Sequence, residues 1–423
     1  MAQIVPVFAL LVSTAFLLAG NGMHSLLLPL SGSAAGFSTT ELGLLGTGWA
    51  VGFILGCLTA PLVVRRVGHI RAFACSAACA AIIILLNGLI VVPLAWILLR
   101  VGSGFFIAGA FMILESWLNE RSTNESRGTI FAVYLMISYL GITVGQLGVG
   151  LGDPATTTLF MAGAILFSLA VLPTALSTAA SPQPLTRVKI DLKRLFANSP
   201  VAFLTVLLVG LVNGAFGTLA AVWGIGIGLG TPAIALMVSI TVVAGALTQI
   251  PAGRISDKLD RRHVIIAAAI GAAIAGLVVF AVKPTSPDVV LPLVAIYGGL
   301  AYPLYGLAVA HANDYADPSD FVAVSGGLLL LYGVGTMIGP LAASGLMTVL
   351  GPEGLFIATA SGHIVIAGYA YYRTKKRAPI PESVREAFRP VPSARGLTPE
   401  SAALDPRAED ATVLDREPIQ VAK

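Results

Sequence analysis

The chain carries one pattern twice, and both copies lie in stretches apolar enough to cross a bilayer. Asn21-Gly22 falls in the first apolar stretch and Asn213-Gly214 in the seventh, 192 residues further on. The turn Arg65-Arg66-Val67-Gly68-His69-Ile70-Arg71 recurs at the same offset as Asp257-Lys258-Leu259-Asp260-Arg261-Arg262-His263. Later the offset becomes 194, relating Asn119-Glu120 to Asn313-Asp314 and Gly141-x-x-x-Gly145 to Gly335-x-x-x-Gly339. Two parallel halves of helices build a central site that opens to each side in turn, which makes solute transport the leading reading.

Composition supports this. Charged residues are 11% of the chain and apolar residues 56%, against about 25% charged in a soluble protein. So few charges cannot cover a water-facing surface, and most of it must meet lipid. The cysteines Cys57, Cys75 and Cys79 all lie in apolar stretches, which argues against a disulfide framework or a zinc site. The opening MAQIVPVFALLV lacks a basic start and runs on as apolar sequence, so it reads as a retained span.

Twelve segments are long enough to span, near 4–30, 40–63, 70–92, 94–119, 128–150, 155–177, 200–229, 232–252, 264–283, 289–313, 322–350 and 353–372. The expected fold is an all-α membrane protein, with twelve transmembrane helices in two pseudo-symmetric six-helix bundles, 1–177 and 200–372. A linker, 178–199, joins them, and its LTRVKIDLKRLF stretch is either an ordinary connection or a basic surface helix. Residues 373–423 read as a disordered tail, because 378–423 holds seven prolines, mixed charge and few aromatics.

Orientation follows the loop bases. The even-numbered connections carry thirteen: Arg65, Arg66, Arg71, Arg121, Arg127, Arg187, Lys189, Lys193, Arg194, Arg254, Lys258, Arg261 and Arg262. The odd-numbered ones carry only Lys283. Both termini are therefore expected in the cytoplasm, in the plasma membrane of a bacterium. The turn before span 11 breaks the pattern, with Asp314, Asp317 and Asp320 and no base. The excess positive charge is topological and implies no nucleic-acid partner.

These motifs, in this order, resemble the major facilitator superfamily over most of the first 370 residues. Gly253-Arg254-Ile255-Ser256-Asp257-Lys258-Leu259-Asp260-Arg261-Arg262 matches that family's G-x-x-x-D-[RK]-x-G-R-R except at Asp260. Arg100-Val101-Gly102-Ser103-Gly104 matches its R-x-x-x-G, Glu120 with Arg127-Gly128 its E-x6-R-G, and Gly335-x-x-x-Gly339-Pro340 its GxxxGP. The first-half turn departs, with Pro61 for the opening glycine and Arg65 for the aspartate, and span 5 reads Gly145-Gln146 rather than Gly-Pro. Glu115-Ser116-Trp117-Leu118-Asn119 resembles a group of bacterial inner-membrane facilitators. The resemblance implies a cavity lined by spans 1, 4, 7 and 10.

Charges within a bilayer are costly and mark function by default. Arg100, about 9 Å into span 4 at 1.5 Å per residue, either holds an anionic solute or snorkels outward. Glu115, deep in the same span, is either a proton carrier or the partner of Arg65, Arg66 or Arg71. Asn21, His24 and Ser25 share a face of span 1, and Asn213 holds the matching place in span 7; they are cavity lining or hydrogen-bonding glue. Tyr139, Gln146, Tyr302 and Tyr305 complete the expected cavity, and His24 is a second proton candidate. Tyr297 and Tyr315 are read as interfacial anchors, and Gln249 and Asn87 remain ambiguous. A cytoplasmic gate is expected from Arg65, Arg66, Glu120, Arg127, Asp257, Lys258, Arg261, Arg262, Asp314, Asp317 and Asp320. Here Arg65 stands where relatives have aspartate, and with Arg66 would either latch onto Asp317 or Asp320 or only enforce topology, while Asp257 would face the start of span 5 near Ser126-Arg127.

No H-E-x-x-H, G-x-S-x-G or G-x-x-x-x-G-K-[ST] occurs, so neither enzyme nor nucleotide-driven pump is expected, and no metal or other cofactor. The expectation is a monomeric secondary carrier, proton-coupled, leaning to efflux of amphipathic compounds as an antiporter. Uptake of a small metabolite, or a transport-dead sensor of the same fold, are the alternatives.

Overall fold

A computed structural model describes residues 7–123, 126–176, 191–317, 320–381, 385, 387–391 and 398–404. The linker bases Arg187 and Lys189 lie outside them. The first half comprises α1 (Phe8–Ala34), α2 (Thr39–Val67), α3 (His69–Leu89), α4 (Pro93–Arg121), α5 (Arg127–Val149) and α6 (Thr158–Ala175). A short α7 (Leu192–Asn198) precedes α8 (Pro200–Gly226), α9 (Thr231–Lys258), α10 (Arg261–Val282), α11 (Pro287–Ala301), α12 (Pro303–Asn313), α13 (Phe321–Leu350) and α14 (Gly354–Thr374). A single turn, α15 (Ser401–Leu404), follows. Twelve segments are long and apolar enough to cross a membrane, with α11 and α12 counted as one span. The protein is an all-α membrane protein of two six-helix bundles.

Span 10 is divided because Pro303 supplies no N–H to the helical ladder, and α12 starts afresh on it. The break leaves Tyr302 at the joint. Elsewhere the sequence sets helix ends directly. Ser38 and Glu41 form a reciprocal capping box at the start of α2, the Ser38 N–H donating to the carboxylate at 2.7 Å.

The repeat has a packing cause. In the first half α5 lies against α1, and in the second α13 lies against α8. A Cβ on Gly145 would strike the Ala19 carbonyl, and one on Gly339 the Leu211 carbonyl. Between the paired glycines sit Ile142 and Thr336, and these meet Gly22 and Gly214. Each Asn-Gly pair therefore gives its glycine to close helix contact, the usual currency of packing in lipid. The asparagine, one residue earlier, turns about 100° away.

The halves also pack against each other, most tightly far from the base-rich loops. A Cβ on Gly43 would lie 2.8 Å from the Ser344 hydroxyl and 2.9 Å from the Pro340 carbonyl. The Thr47 hydroxyl donates to the Met337 carbonyl at 2.8 Å, and Gly150 abuts Pro232 and Ala235. The seam is thus shut at the face opposite the bases.

The segment expected to be disordered behaves differently in its described part. Residues 385, 387–391 and 398–404 lie against the bundle, with Thr398, Ser401 and Leu404 buried. Composition averaged over the segment hides the fact that Phe388, Val391 and Leu404 are apolar side chains with somewhere to go.

Candidate functional site

A central cavity lies between the halves, with about 1090 Å³ of empty space including the part open to the medium. Its first-half wall comes from α1, α2, α4 and α5, and its second-half wall from α8, α9, the α11–α12 joint and α13. Six expected residues meet there: Asn21, Ser25, Arg100, Gln146, Asn213 and Tyr302. The two asparagines are the pair that the internal repeat relates. The reading of the sequence missed Trp49, Thr218 and Tyr332, which also line it.

Arg100 is buried, and its Nε donates to the Leu45 carbonyl at 3.5 Å. The carbonyl oxygens Asn21 Oδ1 and Gln146 Oε1 are buried and accept no hydrogen bond from the described protein. Both residues are 7% exposed. Among the described residues the lining contains no Asp or Glu. Its polar side chains are Arg100, Asn21, Gln146, Asn213, Ser25 and Thr218, set among Trp49, Tyr302, Tyr332 and aliphatic side chains.

His24 is a correction. It does not line the cavity but is fully buried within the first half, with Nε2 3.1 Å from Asn87 Oδ1 and its ring edge-on to Phe167. At 100° per residue His24 lies about 60° to one side of Asn21, whereas Ser25 lies about 40° to the other, toward the cavity. Tyr305 is also turned away and packs edge-on against Tyr332, ring centroids 5.5 Å apart. Tyr139 sits closer to the base-rich face, where its hydroxyl accepts from Gln249 Nε2 at 3.3 Å. Tyr297 is not an interfacial anchor, being 1% exposed and packed on Phe216, Phe356 and His363.

Glu115 is fully buried and none of Arg65, Arg66 and Arg71 pairs with it. Instead Oε1 accepts the Tyr134 hydroxyl at 2.6 Å and Oε2 accepts the Thr398 hydroxyl. Tyr134 is one helix away on α5, and Thr398 comes from beyond α14. Nothing in the local sequence signals the second partner, because it is 283 residues distant.

At the base-rich face the signature turn binds within the second half. Arg261, 2% exposed, donates to Asp314 at 2.6 Å, to Asp257 at 3.0 Å and to the Ser256 hydroxyl at 2.9 Å. This ties the end of α9 and the start of α10 to the end of α12. Arg262 pairs with Asp260 at 2.6 Å and donates to the Arg373 and Arg377 carbonyls. Burial works to raise the Asp260 carboxyl, but the Arg262 hydrogen bonds outweigh it and hold the group below its ordinary range. Asp260, the departure from the family glycine, thereby caps α10 through the Arg262 N–H at 3.0 Å. Asp257 meets Arg261 and the Phe388 N–H rather than the start of α5. Asp320 pairs with Arg194 of α7 at 2.5 Å, while Arg65 and Arg66 are exposed and Lys258 lies at the end of α9. Glu120 closes α4 and Arg127 opens α5, flanking the turn between them.

Twelve spans in two related bundles around a polar central cavity define a membrane carrier of the alternating-access class. The family model of the Major Facilitator Superfamily matches residues 202–408, and with the relative below it supports a transporter of that kind. It is 27% identical over 369 residues to the uncharacterized MFS-type transporter YcaD of Escherichia coli O6:K15:H31 (strain 536 / UPEC), covering 84% of this chain and 92% of that protein. Among solved structures it resembles the nucleoside transporter NupG, at a TM-score of 0.75 and 16% identity, covering 89% of this chain and 100% of that one. It also resembles an auto inhibited POT family peptide transporter, at a TM-score of 0.71 and 11% identity, covering 93% and 100%. At such identities the structural likenesses establish the fold alone.

Proposed function

We propose that this chain is a secondary active carrier that exports a small amphipathic solute across the bacterial inner membrane in exchange for protons, with its base-rich face and both termini in the cytoplasm. The observation that carries the reading is the central cavity. Arg100, Asn21 and Gln146 present one cation and two open acceptors inside a wall of aromatic and aliphatic side chains. Such a site suits a solute with an apolar body and N–H or O–H donors, neutral or anionic. An organic cation would find Arg100 and no carboxylate.

Glu115 is the proposed proton site. Its neighbours are hydroxyls rather than a fixed base, so a proton added to it meets no bound cation that would have to leave. His24, enclosed against Asn87 and Phe167, is not needed for this role. Arg65, with Arg66, is proposed to latch onto Asp317 or Asp320 when the cytoplasmic side closes. Asp320 would then leave Arg194, an exchange of exposed ion pairs worth about 1 kcal/mol or less each.

Thermal stabilisation of the purified protein across a panel of amphipathic acids, neutral amphiphiles and organic cations tests the cavity. Acids and neutral compounds should raise Tm, and Arg100→Ala should remove the response to acids first. The stabilising compound then serves in proteoliposomes, where an imposed pH gradient should drive its accumulation. A panel dominated by cations, or flux indifferent to the pH gradient, would overturn the respective part of the proposal.

A further inference from the structure

We propose that the vestibule open to the base-rich face is a docking site for this chain's own C-terminal segment, which sits there as an autoinhibitory plug holding the two halves apart on that side. The segment is bound to both halves. On the second half, the Phe388 N–H donates to Asp257 at 2.9 Å, and the Phe388 ring occupies the space where a Cβ on Gly253 would fall. It also contacts Gly306 of α12, whose glycine leaves room for Phe388 and Val391 together.

Further in, Val391 spans the seam. Its N–H donates to Gln249 Oε1 on α9 at 3.1 Å, and its carbonyl accepts the Tyr139 hydroxyl of α5 at 3.4 Å. Gln249 and Tyr139 are themselves hydrogen-bonded, so the segment closes a ring of partners drawn from both halves. Thr398 reaches Glu115 on α4, and α15 lies between α4 and α13. Arg385 anchors the entry, donating to the Leu259 carbonyl.

An alternating carrier must bring these helices together to close this side, and a segment packed between α4, α5, α9 and α13 prevents that. The contacts are specific rather than a loose filling: backbone groups of Phe388 and Val391 are matched one to one with side chains, and two glycines are shaped to an aromatic ring. While the plug is seated, Glu115 is capped by Thr398 and Val391 bridges Gln249 and Tyr139 across the seam. The proposal rests on the carrier reading, because a plug inhibits only if the bundle alternates.

Two experiments on the full-length chain test it, with Cys57, Cys75 and Cys79 replaced by Ala. First, Phe388→Cys with Gly253→Cys should form a disulfide under mild oxidation in the membrane, since a Cβ on Gly253 would lie against the base of the Phe388 side chain and a disulfide joins side chains whose Cβ atoms are this near. Second, Ser344→Cys, buried in the seam on the opposite face, reports its opening to a membrane-impermeant maleimide. Labelling should be slow with the native tail. It should rise about tenfold with Phe388→Asp, which sets a second carboxylate beside Asp257; that factor corresponds to roughly 1.4 kcal/mol of restraint removed. Thr398→Val should raise it in the same direction by a smaller factor. Absence of the disulfide, or identical labelling in all three tails, overturns the plug and leaves the carrier reading standing. A plug that passes both tests beside a ligand panel without any binder would instead overturn the carrier reading.

Discussion

Thr398 donates its hydroxyl to Glu115, so a residue beyond the last span caps the one fully buried carboxylate among the described residues of the first half. Glu115→Gln keeps an acceptor for Thr398 and Tyr134 and should leave Tm within a few degrees. Proton-driven accumulation should be lost while solute exchange at equal pH persists. Loss of both activities would make Glu115 a structural residue.

Seating of the tail should depend on pH through Glu400. Burial pushes its carboxyl up to about 7 from an ordinary value near 4.5 when seated. A raised value in the seated state means that seating is favoured fully below about 4.5 and weakens as pH rises through about 7. Glu115 and Tyr134 are the titratable groups linked to this seat. Tryptic cleavage after Arg385 should therefore be faster at pH 8 than at pH 5.5 after correction for trypsin's own profile. Glu400→Gln should flatten the difference.

Removing Asp314 takes from the buried Arg261 its nearest and most buried partner and leaves it the more exposed Asp257. Asp314→Ala should cost about 3–5 kcal/mol and lower Tm and membrane yield sharply. Arg262→Ala, whose partner Asp260 is more accessible, should cost less. Thermal unfolding in detergent by intrinsic fluorescence ranks the two, and equal losses would contradict the burial argument.

The two residues of each Asn-Gly pair should separate in mutagenesis. Gly22→Leu and Gly214→Leu drive a side chain into Ile142 and Thr336 and should destabilise by about 1–3 kcal/mol or more. Asn21→Ala and Asn213→Ala leave helix packing intact and should act on ligand-induced stabilisation instead. A reversal of these phenotypes would refute the division of labour.

The proposed latch makes a charge-order prediction. Arg65→Asp should favour the state open to the cytoplasm, and adding Asp320→Arg should restore the balance, both read by the Ser344→Cys labelling rate. The accompanying topology is checked with Ser286→Cys, which should react with a reagent added outside intact cells, and Arg66→Cys, which should not.

What the sequence determined alone was whatever depends on neighbours along the chain or on a repeat. Apolar stretches of spanning length fixed the twelve helices, because a bilayer leaves unpaired backbone no alternative. The repeat fixed the two-bundle plan and placed Asn21 and Asn213 at matching depth, since glycines at fixed spacing demand the same helix contact in each half. Tertiary structure alone decided which way side chains turn within a helix. A rotation of about 60° put His24 against Asn87 while Asn21 faced the cavity, and in a span apolar all round no hydrophobic stripe announces that choice. It also decided the partner of Glu115 and the place of Phe388 and Val391, since contacts across 131 to 283 residues leave no trace in local pattern.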